Sequence, residues 1–342
     1  MVPMASRVSV VKGGSPDDLT VKSLGLLRIG KELHRDARVF IKPNLVRVPR
    51  ESSISYEDGA WEKTFVPEGD IVHREVIESL LRSLTNLGIR DVTIGEAPGG
   101  CRADAVYKAL DLYSLADEYS AKLLDLNQEE AVKVPIREGL LLDYAWIPKV
   151  IRDADFRVNI GVLKVHRGTA VCLGLKNWAM GILPGRYYGL NKAGTVQYAK
   201  GTDKPLPIHV GRFETRETSM GQEVAVSKVI ADVCSVQGCD LTILDGIAVM
   251  HYSSLEPKAK TTYIKPNLMI ASSDMVAADA VGTRVLGIDP SKIIHVTWAA
   301  KRGVGEADLD RIEVVGEPIE RVQMRCNPLH TQKETVLDLG KR

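Results

Sequence analysis

The chain has 342 residues, 44% of them hydrophobic and 26% charged, with a formal net charge of +1. That composition belongs to a globular chain long enough for one large or two modest domains, and it lacks the basic surplus of a general nucleic-acid binder. No apolar run approaches a membrane span, so neither nucleic acid nor membrane is an expected partner, and a cytoplasmic location is expected.

Strands and helices alternate along the chain. Arg7 to Lys12 reads as a first strand and Val39 to Ile41 as a second. His73 to Leu87 carries Val76, Ile77, Leu80, Leu81, Leu84 and Leu87 on one helical face, and Gly88 follows as a stop. Asp91 to Gly95 is a strand, Ala103 to Ser120 a helix, Lys122 to Leu126 a strand, and Asp143 to Asp153 a helix interrupted by Pro148. Phe156 to Leu163 is a strong apolar strand followed by a helix-like stretch; Glu223 to Ser235 is a helix and Asp240 to Leu244 a strand. Thr262 to Ala271 reads as one strand and Asp274 to Leu286 as a helix with Asp274 as N-cap. Ser291 to Lys301 reads as a last helix and Arg311 to Val315 as a last strand. This alternation predicts an α/β fold with a mostly parallel sheet and helices on both faces, either as one body or as two lobes with a cleft. The expected lobes are residues 1–155 and 156–320, with 185–221 a long loop suited to a lid and 321–342 a tail. Residues 47–69 form a second long segment without a periodic pattern, and loops of such length are uncommon unless they work as lids or binding loops.

Ligands of alternating α/β proteins bind beyond the carboxyl ends of the strands. Chemistry-bearing residues gather there. The strand at 156–163 runs into Lys164, His166, Arg167 and Thr169, and the helix after it carries Lys176 and Asn177. Lysines can hold an anion, and histidine alone titrates unperturbed near neutral pH. The strand at 39–41 runs into Lys42-Pro43-Asn44, where proline forces Lys42 to be extended. Glu96 and Asp245 also sit where strands end, placed to act as bases or to ligate a divalent metal, although Asp245-Gly246 also reads as a turn. Ile-Lys-Pro-Asn-Leu recurs at 264–268, either as an internal duplication or as an edge-strand entry without chemistry. Asp279, among alanines and valines, reads as a structural pairing residue, and His73 as a surface residue of a first helical turn.

Other chemistries lack their motifs. There is no Gly-x-Gly-x-x-Gly, no Walker loop and no nucleophile elbow. His209, His251 and His295 have no metal-ligand spacing, and the five cysteines, at 101, 172, 234, 239 and 326, are dispersed. Cys172 and Cys234 read as small buried residues, and Cys101 as the one placed in an open loop.

The order of these segments resembles the proteins that carry the domain of unknown function DUF362. The likeness rests on Lys42-Pro43-Asn44, on His73 through Gly95 into Glu96-Ala97-Pro98-Gly99, and on Leu163-Lys164-Val165-His166. It continues through Leu175-Lys176-Asn177 with Met180-Gly181, Leu244-Asp245-Gly246, and Ser273-Asp274 followed by Ala278-Asp279-Ala280-Val281. The resemblance implies a protein of uncharacterised activity, often associated with iron-sulfur systems. Members with a cluster need four thiolates in a tight run, which this chain lacks, so an iron-sulfur cluster is not expected in it. From the residues, the expected function is an enzyme acting on a small anionic metabolite, carboxylate or phosphate, by proton transfer of the isomerase, racemase or lyase type. Lys42, Lys164 and Lys176 would hold the anion, and His166 would act as acid or base. Asn44, Asn177, Arg167 and Thr169 would orient it, with Glu96 or Asp245 as second acid-base group or metal ligand. The alternative is a non-catalytic anion- or metal-binding partner of an iron-sulfur or redox system. A homo-oligomer is compatible with either.

Overall fold

Short runs such as Val-Phe-Ile at 39–41 are apolar on both sides of the strand, which suits a sheet covered on both faces. The computed structural model describes residues 6–30, 33–46, 52–55, 61–64, 69–99, 101–166, 168–189, 213–214, 219–220, 222–254 and 260–327. Arg167, most of 47–69, most of the expected lid at 185–221, and residues 328–342 of the tail lie outside the described residues.

Eight strands form one sheet: β1 (Ser6–Lys12), β2 (Val39–Pro43), β3 (Val92–Glu96), β4 (Lys122–Asp125), β5 (Phe156–Val162), β6 (Leu241–Gly246), β7 (Leu268–Ser272) and β8 (Ile312–Gly316). Their order is β8-β1-β7-β6-β5-β2-β3-β4, and every neighbouring pair is parallel except those of β7, antiparallel to β1 and β6. The expected α/β class with a mostly parallel sheet is the class observed. Strands from before and after residue 155 interleave, since β1 lies between β7 and β8 and β2 adjoins β5. Residue 155 is therefore not the edge of a separate sheet.

Side chains alternate between the faces. Val39, Ile41, Val158, Ile160, Leu241 and Ile243 pack with α1 (Pro16–Leu27), α2 (Arg74–Asn86), α3 (Ala103–Ala109) and α4 (Leu112–Tyr119). Phe40, Leu244 and Ile270 pack on the other face with α5 (Gly174–Gly181), α6 (Gln222–Val236), α7 (Met275–Val285) and α8 (Ile294–Lys301). In α2 Val76, Ile77, Leu80, Leu81 and Leu84 are buried as their spacing predicts, but Leu87, expected on the same face, is 42% exposed where the helix ends, and Gly88 turns the chain at φ +85°.

Four elements differ from expectation. The last in chain order, expected at 291–301, differs only at its start: a 3-10 turn, Pro290–Lys292, and an extended Ile293 precede α8, which begins at Ile294. Asp143 to Asp153 is not one helix but a strand, Tyr144–Pro148, paired with Ala131–Pro135, and then a short helix, Lys149–Asp153. Ala145 and Ile147 are buried while Tyr144 and Trp146 are half-buried, which is a period of two. Ala103 to Ser120 is two helices, split at Asp111 in the left-handed region at φ +51°. Thr262 to Ala271 is two strands, Thr261–Ile264 and β7, separated by Lys265-Pro266-Asn267 with Asn267 at φ +51°. The two Ile-Lys-Pro-Asn-Leu copies therefore differ in setting. In the first, Lys42 is buried inside the main sheet, whereas Lys265 is exposed in a turn.

Candidate functional site

The carboxyl ends of β2, β3, β5 and β6 are adjacent in the sheet, and each delivers a polar side chain. At the end of β2, Lys42 is completely buried. Its Nζ lies 2.9 Å from Oε2 of Glu96 at the end of β3 and donates to Oδ1 of Asn177 on α5. Glu96 is engaged further, because Oε2 accepts from the Leu45 N–H at 2.8 Å and Oε1 from the Ala97 N–H at 2.9 Å. Asn177 donates through Nδ2 to Asn159 Oδ1 at 2.7 Å and to the Ile160 carbonyl at 3.1 Å. Burial pulls the Lys42 ammonium below its usual range, and Glu96 opposes that pull. Gly181 closes the arrangement. A Cβ there would overlap Nζ and Cε of Lys42 and come within 2.7 Å of Glu96 Oε1, so α5 approaches the ion pair only because residue 181 has no side chain.

The helix that carries Asn177 is held by Asp279 of α7. Its carboxylate accepts from the N–H groups of Gly174 at 2.7 Å and Leu175 at 3.1 Å, two of the donors a helix start leaves unpaired. The pairing role expected of Asp279 is thus an N-terminal cap supplied from another helix. Burial pushes its carboxyl up to about 8, against the two N–H donors.

Lys164 and Lys176 share a neighbourhood but not a situation. Lys164 is buried and bonded to Asp70 through both Oδ1 (2.8 Å) and the carbonyl oxygen (2.5 Å). Lys176 is equally withdrawn, at 7% exposure, yet among the described residues it has neither carboxylate nor hydrogen-bond acceptor. Burial pulls its amine below the usual range and Lys164 adds to this, while Cys172 and Asp70 oppose it. Beside Cys172 lies Asn44, wholly buried, whose Nδ2 is 4.0 Å from the thiol sulfur and whose Oδ1 has no partner among the described residues. From α8 comes His295, also wholly buried and with both ring nitrogens unpartnered among the described residues; burial, helped by Lys176, pushes it down to about 3, so it is neutral.

A third group stands at the end of β6. Asp245 Oδ2 lies 2.8 Å from His73 Nδ1 and accepts the His73 N–H at 2.8 Å, and Oδ1 accepts the Ile247 N–H at 3.0 Å. Burial alone would raise the Asp245 carboxyl, but His73 and these amides outweigh it and hold it below the usual value. A buried carboxylate on Nδ1 fixes the imidazole tautomer, with the proton on Nδ1 and the lone pair on Nε2. His73 is the N-cap residue of α2, three residues after Asp70. The Asp245 carbonyl also accepts from Leu163 N–H at 2.8 Å, so this dyad adjoins Lys164.

His166 stands in a small hairpin, Lys164–His166 against Ala170–Cys172. Its Nδ1 accepts the Gly168 N–H at 3.0 Å and is 3.2 Å from Thr169 Oγ1, while that hydroxyl donates to the Val171 carbonyl at 2.9 Å. Thr169 is thereby a buried turn residue, and Arg167 lies outside the described residues. The structure thus joins Lys42, Glu96 and Asn177 in one network, Lys164 and Asp70 in a second, and His73 and Asp245 in a third. Lys176, Asn44 and Cys172 lie between the first two.

Glu96 and Asp245 do not share an ion. Their strands are three spacings apart, about 14 Å, and each carboxylate is engaged by its own partners. Among the described residues no group of three His, Cys, Asp or Glu side chains is placed to hold a metal. Sequence reasoning missed Asp70 and placed His73 on the surface. The single available signal was Asp70 three residues ahead of a histidine that opens a helix, and it names neither partner.

Among the described residues no helix is long and apolar enough to cross a membrane. A solved structure of a protein from Thermotoga maritima is similar to this chain at a TM-score of 0.40 and 13% sequence identity, over 85% of this chain and 60% of that one. The chain therefore spans less than two thirds of that protein's length. No curated protein matches it. The family model of the domain of unknown function DUF362 matches residues 39–284, and the chain belongs to that family.

Proposed function

We propose that the protein is an enzyme that moves a proton on a small anionic metabolite, a carboxylate or a phosphate, at the carboxyl edge of its sheet. The observation that carries this reading is the His73–Asp245 pair, a half-buried imidazole oriented by a buried carboxylate, next to lysines withdrawn from water. A base needs its lone pair on the nitrogen away from the orienting group, and the Asp245 contact provides that. Lys176, which no carboxylate neutralises among the described residues, is the cation that suits an incoming anion. Lys42 and Lys164 act behind it, each bonded to a carboxylate that keeps it in place. His166, whose Nδ1 accepts an amide proton, carries its own proton on Nε2 and serves as the second acid-base group. Isomerisation, racemisation and elimination all begin with such a proton abstraction.

Deuterium wash-in tests this without knowledge of the product. A panel of small carboxylic and phosphorylated acids is incubated with the protein in D2O and followed by NMR. Exchange beside the carboxylate or carbonyl of at least one acid is expected, slowed about 10²–10⁴-fold in His73→Ala. Exchange that His73→Ala leaves untouched removes His73 from the mechanism, and a panel without any exchange contradicts the proton-transfer reading.

A further inference from the structure

We infer that the site takes a hydroxy acid, a small acid with a hydroxyl within two carbons of its anionic group, and that Asn44 reads that hydroxyl. This names the substrate class of the site proposed above and rests on that reading. Asn44 follows β2, and its backbone is pinned on both sides. Its N–H donates to the Ile160 carbonyl at 2.8 Å, and its carbonyl accepts the N–H of Val72, the residue before His73, at 3.0 Å. Its side chain meets Cys172, with Nδ2 4.0 Å from the sulfur, one helical turn ahead of Lys176. The amide therefore stands between the segment that carries the base and the helix that carries the cation. Its Oδ1 is wholly buried and has no partner among the described residues. An unmatched buried acceptor costs stability, and in native proteins such groups are matched by a partner. His295, close enough to Lys176 to feel its charge, shares the deficit, since neither ring nitrogen has a partner among the described residues.

The kind of partner follows from charge and hydrogen-bonding capacity. An amide oxygen only accepts, and so does an ionised carboxylate. An acid without a donor therefore leaves Oδ1 unmatched. A hydroxyl beside the acid group donates to Oδ1 while the anion lies on Lys176. An ammonium group in that position would donate too, but its surroundings are cationic. Lys164 is the cross-strand partner of Cys172, and Lys176 lies one turn beyond it. Two like charges at such range repel an ammonium, whereas a neutral hydroxyl meets no such penalty.

Thermal-shift titrations of the full chain with two matched series test this. One series is acetate, glycolate and glycine; the other is ethyl phosphate, 2-hydroxyethyl phosphate and 2-aminoethyl phosphate. In a series that binds, the hydroxylated member is expected to bind about tenfold or more tightly than both relatives, the ratio that one unmatched buried acceptor sets. Asn44→Leu, similar in size, should weaken the hydroxylated acid to the level of its unsubstituted relative, and its melting temperature reports whether it folds. The wild-type ratio decides by itself if that variant does not fold. Acids that bind wild type without the preference, or a preference that survives in folded Asn44→Leu, overturn the inference and leave the anion reading standing. If no member of either series binds, the site reading fails and the inference with it.

Discussion

Lys42→Met is expected to destabilise the fold by about 3–5 kcal/mol, the usual cost of stranding one partner of a buried ion pair. The carboxylate left behind, Glu96, is 1% exposed and would keep the Leu45 and Ala97 amides but lose its cation. Urea denaturation followed by tryptophan fluorescence measures the loss. Combining Lys42→Met with Glu96→Gln should recover a large part of it, because an uncharged pair leaves no buried charge. Two additive losses would show that Lys42 and Glu96 stabilise the fold through separate contacts.

Asp279→Ala has the second large effect. It leaves the buried Gly174 and Leu175 amides without acceptors, an expected loss of about 2–6 kcal/mol at about 1–3 for each orphaned group. Faster hydrogen exchange in α5 should accompany it, because the start of that helix is where the cap is lost. The same residue sets a pH dependence. Its carboxyl is raised to about 8 in the folded chain, so the folded state binds a proton more tightly than the unfolded one. The contribution is complete below about 4, the ordinary carboxylate value, and is lost as pH rises through about 8. Asp279→Asn, which cannot ionise, should lose that slope. A slope unchanged in the variant would assign it to other groups.

The sheet was legible because its strands are short apolar runs bounded by polar ends, as at Val39–Ile41 and Phe156–Val162. The paired strand Tyr144–Pro148 was not, since its two half-buried aromatics and its proline resemble a broken helix as much as a strand. Candidate residues were legible by position alone. Lys42, Glu96, Lys164 and Asp245 all end strands, and strand ends are where ligands go. What each does there depends on strand order. Lys42 meets Glu96 because β2 lies beside β3, and no spacing in the sequence contains that fact. His73 and Asp245 are 172 residues apart, so the dyad exists only once α2 starts over the end of β6. That Lys176 is the lysine left without a carboxylate likewise follows from which acids the other two have taken.

The central claim is that a small anion binds beside the buried Lys176 at the carboxyl edge of the sheet, and a thermal-shift titration of pyruvate and of inorganic phosphate tests it most directly. A ligand at a hundred times its dissociation constant adds about 2.7 kcal/mol, which moves the melting temperature by several degrees. The account predicts that at least one of the two stabilises wild-type protein and that Lys176→Met, itself folded, no longer responds. A shift of the same size in Lys176→Met, or no shift from either anion in wild type, would contradict it.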